Sequence, residues 1–98
     1  MDETTPTITI DGRREIEGRW NFDVTITDQE GTMQYTVALD KSYWEKLTNK
    51  NGEPEDLIKK SFSFLLERES KDSILRKFNL WEINEYFPEY EEEIRKVM

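Results

Sequence analysis

Along this chain the spacing of apolar residues changes once, at Asp40, and that switch limits the fold more than any other feature. Up to Leu39 the repeat is two. Trp20, Phe22, Val24 and Ile26 alternate with Asn21, Asp23, Thr25 and Thr27, and Met33, Tyr35, Val37 and Leu39 are separated by Gln34, Thr36 and Ala38. An extended chain turns successive side chains to opposite faces, so each set marks one buried strand face. Asp28-Gln29-Glu30-Gly31 joins the two as a hairpin loop ending in the residue that best tolerates positive φ. Ile8, Ile10 and Ile16 share one parity, which predicts a first strand from Thr7 to about Glu17 with all three pointing inward and a turn at Glu17-Gly18. Asp11-Gly12 is itself a favoured hairpin pair, so the long strand requires Gly12 to belong to a bulge instead.

Beyond Asp40 the period is helical. Asp40 or Ser42 can cap a short helix that carries Tyr43, Trp44 and Leu47 on one side, and Asn49-Lys50-Asn51-Gly52 ends it. Pro54 suits a first helical turn, and Glu55 and Asp56 complement the positive end of the dipole. The longest helix is expected from there to about Glu69. Its stripe of Leu57, Ile58, Phe62, Phe64, Leu65 and Leu66 is wide enough to need more than one neighbour. After Ser70-Lys71-Asp72-Ser73, the cluster Ile74, Leu75 and Phe78 predicts another short helix. Asn79 can cap the next, with Leu80, Ile83 and Phe87 as its stripe, and Pro88 stops it. A last helix begins at Pro88-Glu89, shows Tyr90, Ile94 and Val97 on one side and places Arg95 and Lys96 at its negative end.

The expected fold class is therefore α+β: a three-stranded antiparallel β-meander (about residues 7–39) followed by a long helix and three to four short helices (about 41–97), packed on one face of the sheet. A chain of 98 residues has room for one core, so residues 1–98 are read as one domain.

Composition removes most chemistry. There is no cysteine, hence no disulfide, thiolate nucleophile or zinc-thiolate site, and no histidine, the usual general base and nitrogen ligand. The four glycines are scattered singly and form no phosphate loop. Consecutive helical residues diverge by about 100°, so Glu91-Glu92-Glu93 is read as a solvated face and not a cation site. Neither cofactor nor metal is expected. No apolar run is long enough to cross a bilayer, and Met1-Asp2-Glu3-Thr4-Thr5 lacks the order of a signal peptide, so a cytoplasmic location without membrane contact is expected. A net charge of −8 repels phosphate backbones and weighs against nucleic acid.

Two groups of residues stand out as candidate sites. Trp81 and Tyr86 fall off the Leu80-Ile83-Phe87 stripe and are candidates for a contact surface with a protein partner, and Arg68, between Glu67 and Glu69, is a candidate clamp for a partner carboxylate. Packing of aromatics from several directions and a local ion pair are the plainer accounts of the same residues. Arg13, Arg14 and Arg19, with Trp20, are a candidate nucleic-acid patch, or else the charges that keep an edge strand from aggregating.

The strings Tyr43-Trp44-Glu45-Lys46-Leu47-Thr48, Pro54-Glu55 with Leu57, Ser61-Phe62, Phe64-Leu65-Leu66-Glu67-Arg68-Glu69, Ser73-Ile74-Leu75 and Tyr86-Phe87-Pro88-Glu89-Tyr90 give the helical half a likeness. From about Val37 to Ile94 the chain resembles a group of small prokaryotic proteins usually labelled hypothetical. The resemblance implies a bacterial or archaeal origin and carries no activity. The function expected from the residues is non-catalytic: a small acidic protein-binding module, such as an inhibitor, an antitoxin-like protein or an adaptor, with a protein partner that can be a second copy. The alternatives are nucleic-acid binding through the arginine patch and, last, a carboxylate-dependent enzyme.

Overall fold

The computed structural model describes residues 6–98, so the reading of Met1-Asp2-Glu3-Thr4-Thr5 lies outside the described residues. The fold is α+β. Strands β1 (Thr7–Ile16), β2 (Arg19–Asp28) and β3 (Gly31–Asp40) form the expected antiparallel meander. Helices α1 (Lys41–Thr48) and α2 (Pro54–Leu66) follow, then a 3-10 turn (Lys71–Ser73), a fourth strand β4 (Lys77–Asn79), a second 3-10 turn (Leu80–Glu82) and helices α3 (Ile83–Tyr86) and α4 (Tyr90–Val97).

The fourth strand corrects the expectation of a helix at Ile74, Leu75 and Phe78. The chain there is extended, and β4 lies parallel to β3 with Phe78 opposite Val37, giving a four-stranded mixed sheet of order β1-β2-β3-β4. Apolar residues at i, i+1 and i+4 fit a helix turn, but a free β3 edge offers backbone partners that a single exposed turn cannot match. The Thr36 amide donates to the Arg76 carbonyl at 2.8 Å where the new strand arrives.

Strand β1 is long, as expected, and the register slips between Ile10 and Gly12, so Asp11-Gly12 forms a bulge and not a turn. The bulge adds one residue, which reverses the facing of everything after it. Ile8 and Ile10 pack against the core, whereas Ile16, expected inward, is 50% exposed on the other face. The β1–β2 connection is the two-residue pair Glu17-Gly18, both at positive φ (44° and 80°), as a hairpin with the twist-compatible primed turn requires. Gly31 closes the β2–β3 loop at φ 135°, a conformation that costs glycine nothing.

One face of the sheet, bearing Trp20, Phe22, Val24, Ile26, Tyr35, Val37 and Leu39, forms the core with Leu57, Ile58, Phe62 and Leu65 of α2, Leu80, Ile83, Tyr90 and Ile94. Helix α2 starts at Pro54 as expected; the Glu53 amide donates to the Asp56 carboxylate at 3.1 Å. It stops at Leu66, short of Glu69, where the Arg68 and Glu69 amides both turn to the Leu65 carbonyl. Asp40 precedes α1 without capping it through its side chain, which accepts from Arg19 instead. Phe87 is extended before Pro88, which ends α3. Val97, expected beside Tyr90 and Ile94, is 54% exposed. Among the described residues no helix is long and apolar enough to cross a membrane.

Candidate functional site

An open apolar groove lies where the end of α2, the approach to β4 and α3 meet. It has a volume of about 320 Å³, at the small end of the roughly 300–1,000 Å³ usual for ligand sites. Leu65 comes from α2, Ile74 and Phe78 from the extended segment, Ile83 from α3 and Phe87 from the residue after it. Because that segment is extended, alternate side chains diverge: Ile74 is buried and its neighbour Leu75 is 48% exposed at the rim. Tyr86, 63% exposed at the end of α3, stands on the same groove.

Two carboxylates also line it. Glu69 is pushed above its ordinary pKa range by burial. Glu82 accepts from the Asn79 amide at 3.3 Å while the Asn79 side chain accepts from the Trp81 amide, an exchange that closes the start of the second 3-10 turn.

The wall made by α3 is fixed from behind. Asn84 donates to the Tyr43 hydroxyl at 2.8 Å, to the Trp81 carbonyl at 2.9 Å and to Glu91 at 3.2 Å, and the Tyr43 hydroxyl donates to Glu91 at 2.9 Å. Burial, reinforced by the Glu91 carboxylate, holds the Tyr43 phenol well above its usual range, so it stays a donor. The Ser61 and Tyr90 hydroxyls, both fully buried, bond at 2.6 Å and tie α2 to α4. In the first 3-10 turn Lys71, almost wholly buried, reaches Asp28 at 2.9 Å, and its carbonyl accepts from the Tyr35 hydroxyl at 2.6 Å, anchoring that turn to the sheet.

The residues singled out in the sequence are distributed as follows. Tyr86 lines the groove; Trp81, on the 3-10 turn and not on a helix, is 41% exposed one residue before Glu82. Arg68 is turned elsewhere: its guanidinium lies 3.7 Å from the Phe64 ring centre and bonds Glu89 at 3.2 Å and the Phe64 carbonyl at 3.1 Å. Arg13, Arg14 and Arg19 do not converge. The bulge puts Arg13 on the helical face, opposite Phe22, where it meets Glu55 of α2 at 3.3 Å. Arg14 and Arg19 lie on the open face, paired with Asp23 at 2.8 Å and Asp40 at 3.1 Å. Trp20 is 9% exposed, packed edge-on against Trp44 with Arg13 and Lys41 beside its ring.

The open face of the sheet carries a polar hollow lined by Asp11, Asp23, Thr25, Gln34, Thr36 and Arg76. Its groups are mostly engaged with one another: Thr25 donates to Asp11, Arg14 holds Asp23, and Arg76 donates to the Gln34 carbonyl at 2.9 Å. Among the described residues no group of three or more acidic side chains is placed to hold a metal ion.

Of the residues on this groove the sequence singles out Tyr86, and not Leu75 or Glu69. The i, i+1, i+4 spacing predicts a helix face for Leu75, and only alternation across Ile74-Leu75 separates the buried from the exposed one.

Fold and site together define an α+β chain with a mixed four-stranded sheet and an open apolar groove rimmed by carboxylates. No protein-family model, curated protein or solved structure matches the chain.

Proposed function

We propose that this chain is a non-catalytic protein-binding module whose contact surface is centred on the groove beside α3. The observation that carries the reading is the gathering of exposed apolar side chains at one place: Leu75 and Tyr86 on the rim, and Trp81 on the adjoining turn. Single exposed hydrophobics need no explanation, whereas several around a concavity are what interfaces use. The net charge of −8 favours a basic partner surface, since opposite charge speeds encounter. An acidic inhibitor, antitoxin-like protein or adaptor fits this description.

The other readings find less support. A nucleic-acid patch needs free cations and an accessible ring, whereas Arg13, Arg14 and Arg19 are split between two faces with a carboxylate each and Trp20 is buried. A two-carboxylate enzyme needs both acids free to work, and Glu82 is committed to the turn it closes.

The test compares the wild-type chain with a Leu75→Glu/Tyr86→Glu variant, both checked for native thermal unfolding, as baits in native lysate. A partner identified on the wild type is then purified and titrated. The reading expects binding weakened at least about tenfold in the variant, as loss of hot-spot contacts produces. Equal binding by both baits, or no partner that depends on the groove, rejects it.

A further inference from the structure

The geometry points to the chemistry of the segment that enters the groove: a large apolar side chain with a lysine or arginine within about one turn of it. This rests on the protein-binding reading above and adds the partner's charge to it.

The groove combines an apolar floor (Leu65, Ile74, Phe78) with carboxylates at its mouth (Glu69 and Glu82). Among the described residues no lysine or arginine lies within ion-pair distance of either carboxylate. Of the cations nearest in sequence, Arg68 is spent on Glu89, Lys71 on Asp28 and Arg76 on the Gln34 carbonyl, while Lys77 is exposed and stands beyond ion-pair distance of both carboxylates. A carboxylate held partly out of water with no counter-ion is unfavourable until one arrives, and Glu69 shows that condition in its raised pKa. An arriving ammonium or guanidinium would supply what the fold leaves out, and an acidic or neutral neighbour would not. Cavity size sets the other half of the rule. About 320 Å³ takes a side chain or two and not a folded element, so one apolar anchor enters while its basic neighbour stays at the mouth. The same pairing disfavours acidic partners, because a second carboxylate brought to Glu69 meets a like charge.

The probe is a phage-displayed library of random dodecapeptides, selected in parallel on immobilised wild-type chain, on Glu69→Gln and on the Leu75→Glu/Tyr86→Glu variant, each checked for native thermal unfolding. On the wild type, the enriched sequences should share a large apolar residue with Lys or Arg within four positions. A synthetic peptide of that sequence should bind Glu69→Gln about tenfold more weakly, the loss expected for one charge-assisted contact, and should weaken as salt is raised. Selection on Glu69→Gln should keep the apolar residue and lose the basic one. Apolar anchors with neutral or acidic neighbours on the wild type, or binding indifferent to Glu69→Gln and salt, would overturn the charge assignment while leaving the docking site standing. Enrichment that is the same on the wild type and on the double variant would remove the docking site itself.

Discussion

The Ser61–Tyr90 hydrogen bond gives the most direct test of how the helical layer is held. Both residues are fully buried and their hydroxyls are 2.6 Å apart. Removing one partner leaves the other's hydroxyl buried and unsatisfied, which costs about 1–3 kcal/mol, whereas removing both leaves no orphan. The two single variants should differ. In Tyr90→Phe the Ser61 hydroxyl lies on α2 and can turn to the Leu57 carbonyl one helical turn back, so the loss should be about 1 kcal/mol. In Ser61→Ala the Tyr90 phenol has no such local carbonyl, and the loss should approach about 2–3 kcal/mol. The double variant should be no worse than Ser61→Ala alone, giving a coupling energy of about 1–2 kcal/mol. Urea unfolding followed by tryptophan fluorescence measures all four chains, and the slope with denaturant should be unchanged. For a chain of this size each kcal/mol corresponds to about 4–8 °C in Tm. Losses that simply add in the double variant would show that the two hydroxyls do not share a bond.

Three further outcomes are expected. Glu17 occupies a left-handed conformation that asparagine tolerates better, so Glu17→Asn should raise stability by about 1 kcal/mol in the same unfolding assay; a fall would contradict the primed-turn assignment. Arg68→Ala should destabilise by about 1 kcal/mol, and Arg68→Lys should recover little of it in thermal unfolding, because the flat guanidinium over Phe64 also bonds Glu89 and a helix carbonyl. Lys71, and secondarily the Glu30 amide, hold the Asp28 carboxyl below its usual range, while Asp28 raises Lys71. The depressed acid therefore contributes at neutral pH and loses that contribution as pH falls through its lowered value; the raised base keeps its own until pH climbs through its raised value. Lys71→Met should flatten the acid limb of the stability profile, measured by urea midpoint against pH, and an unchanged limb would remove the pair from the account.

What the sequence made legible follows from which interactions are local. The alternation through Trp20–Ile26 and Met33–Leu39 survives folding because each strand pairs with its neighbour across a short loop. Pro54 announces α2, and Pro88 halts α3, through backbone geometry that needs no partner. Parity failed at Ile16 although Gly12 marks the bulge, because the extra residue there reverses the facing of all that follows, so Ile10 and Ile16 cannot share a face. It failed again at Lys77-Phe78-Asn79, where three residues become a strand because β3, almost forty positions earlier, has an unfilled edge. The candidate site suffered the same way. Tyr86 is visible as an aromatic off its stripe, but the groove exists only after Leu65, Ile74, Phe78 and Ile83 have been brought together, and the arginines near the first hairpin look like a cluster until strand alternation sends Arg13 and Arg14 to opposite faces.

The parallel strand also dictates an order of assembly. Val37 and Ala38 are synthesised long before Phe78 and Asn79 that zip onto them, so a nascent chain halted near Ser70 carries a finished hairpin with a naked rim. Once made, β4 covers the Thr36–Ala38 part of that rim, and truncation just ahead of Lys77 should leave it bare and raise the tendency of copies to stitch together through β3.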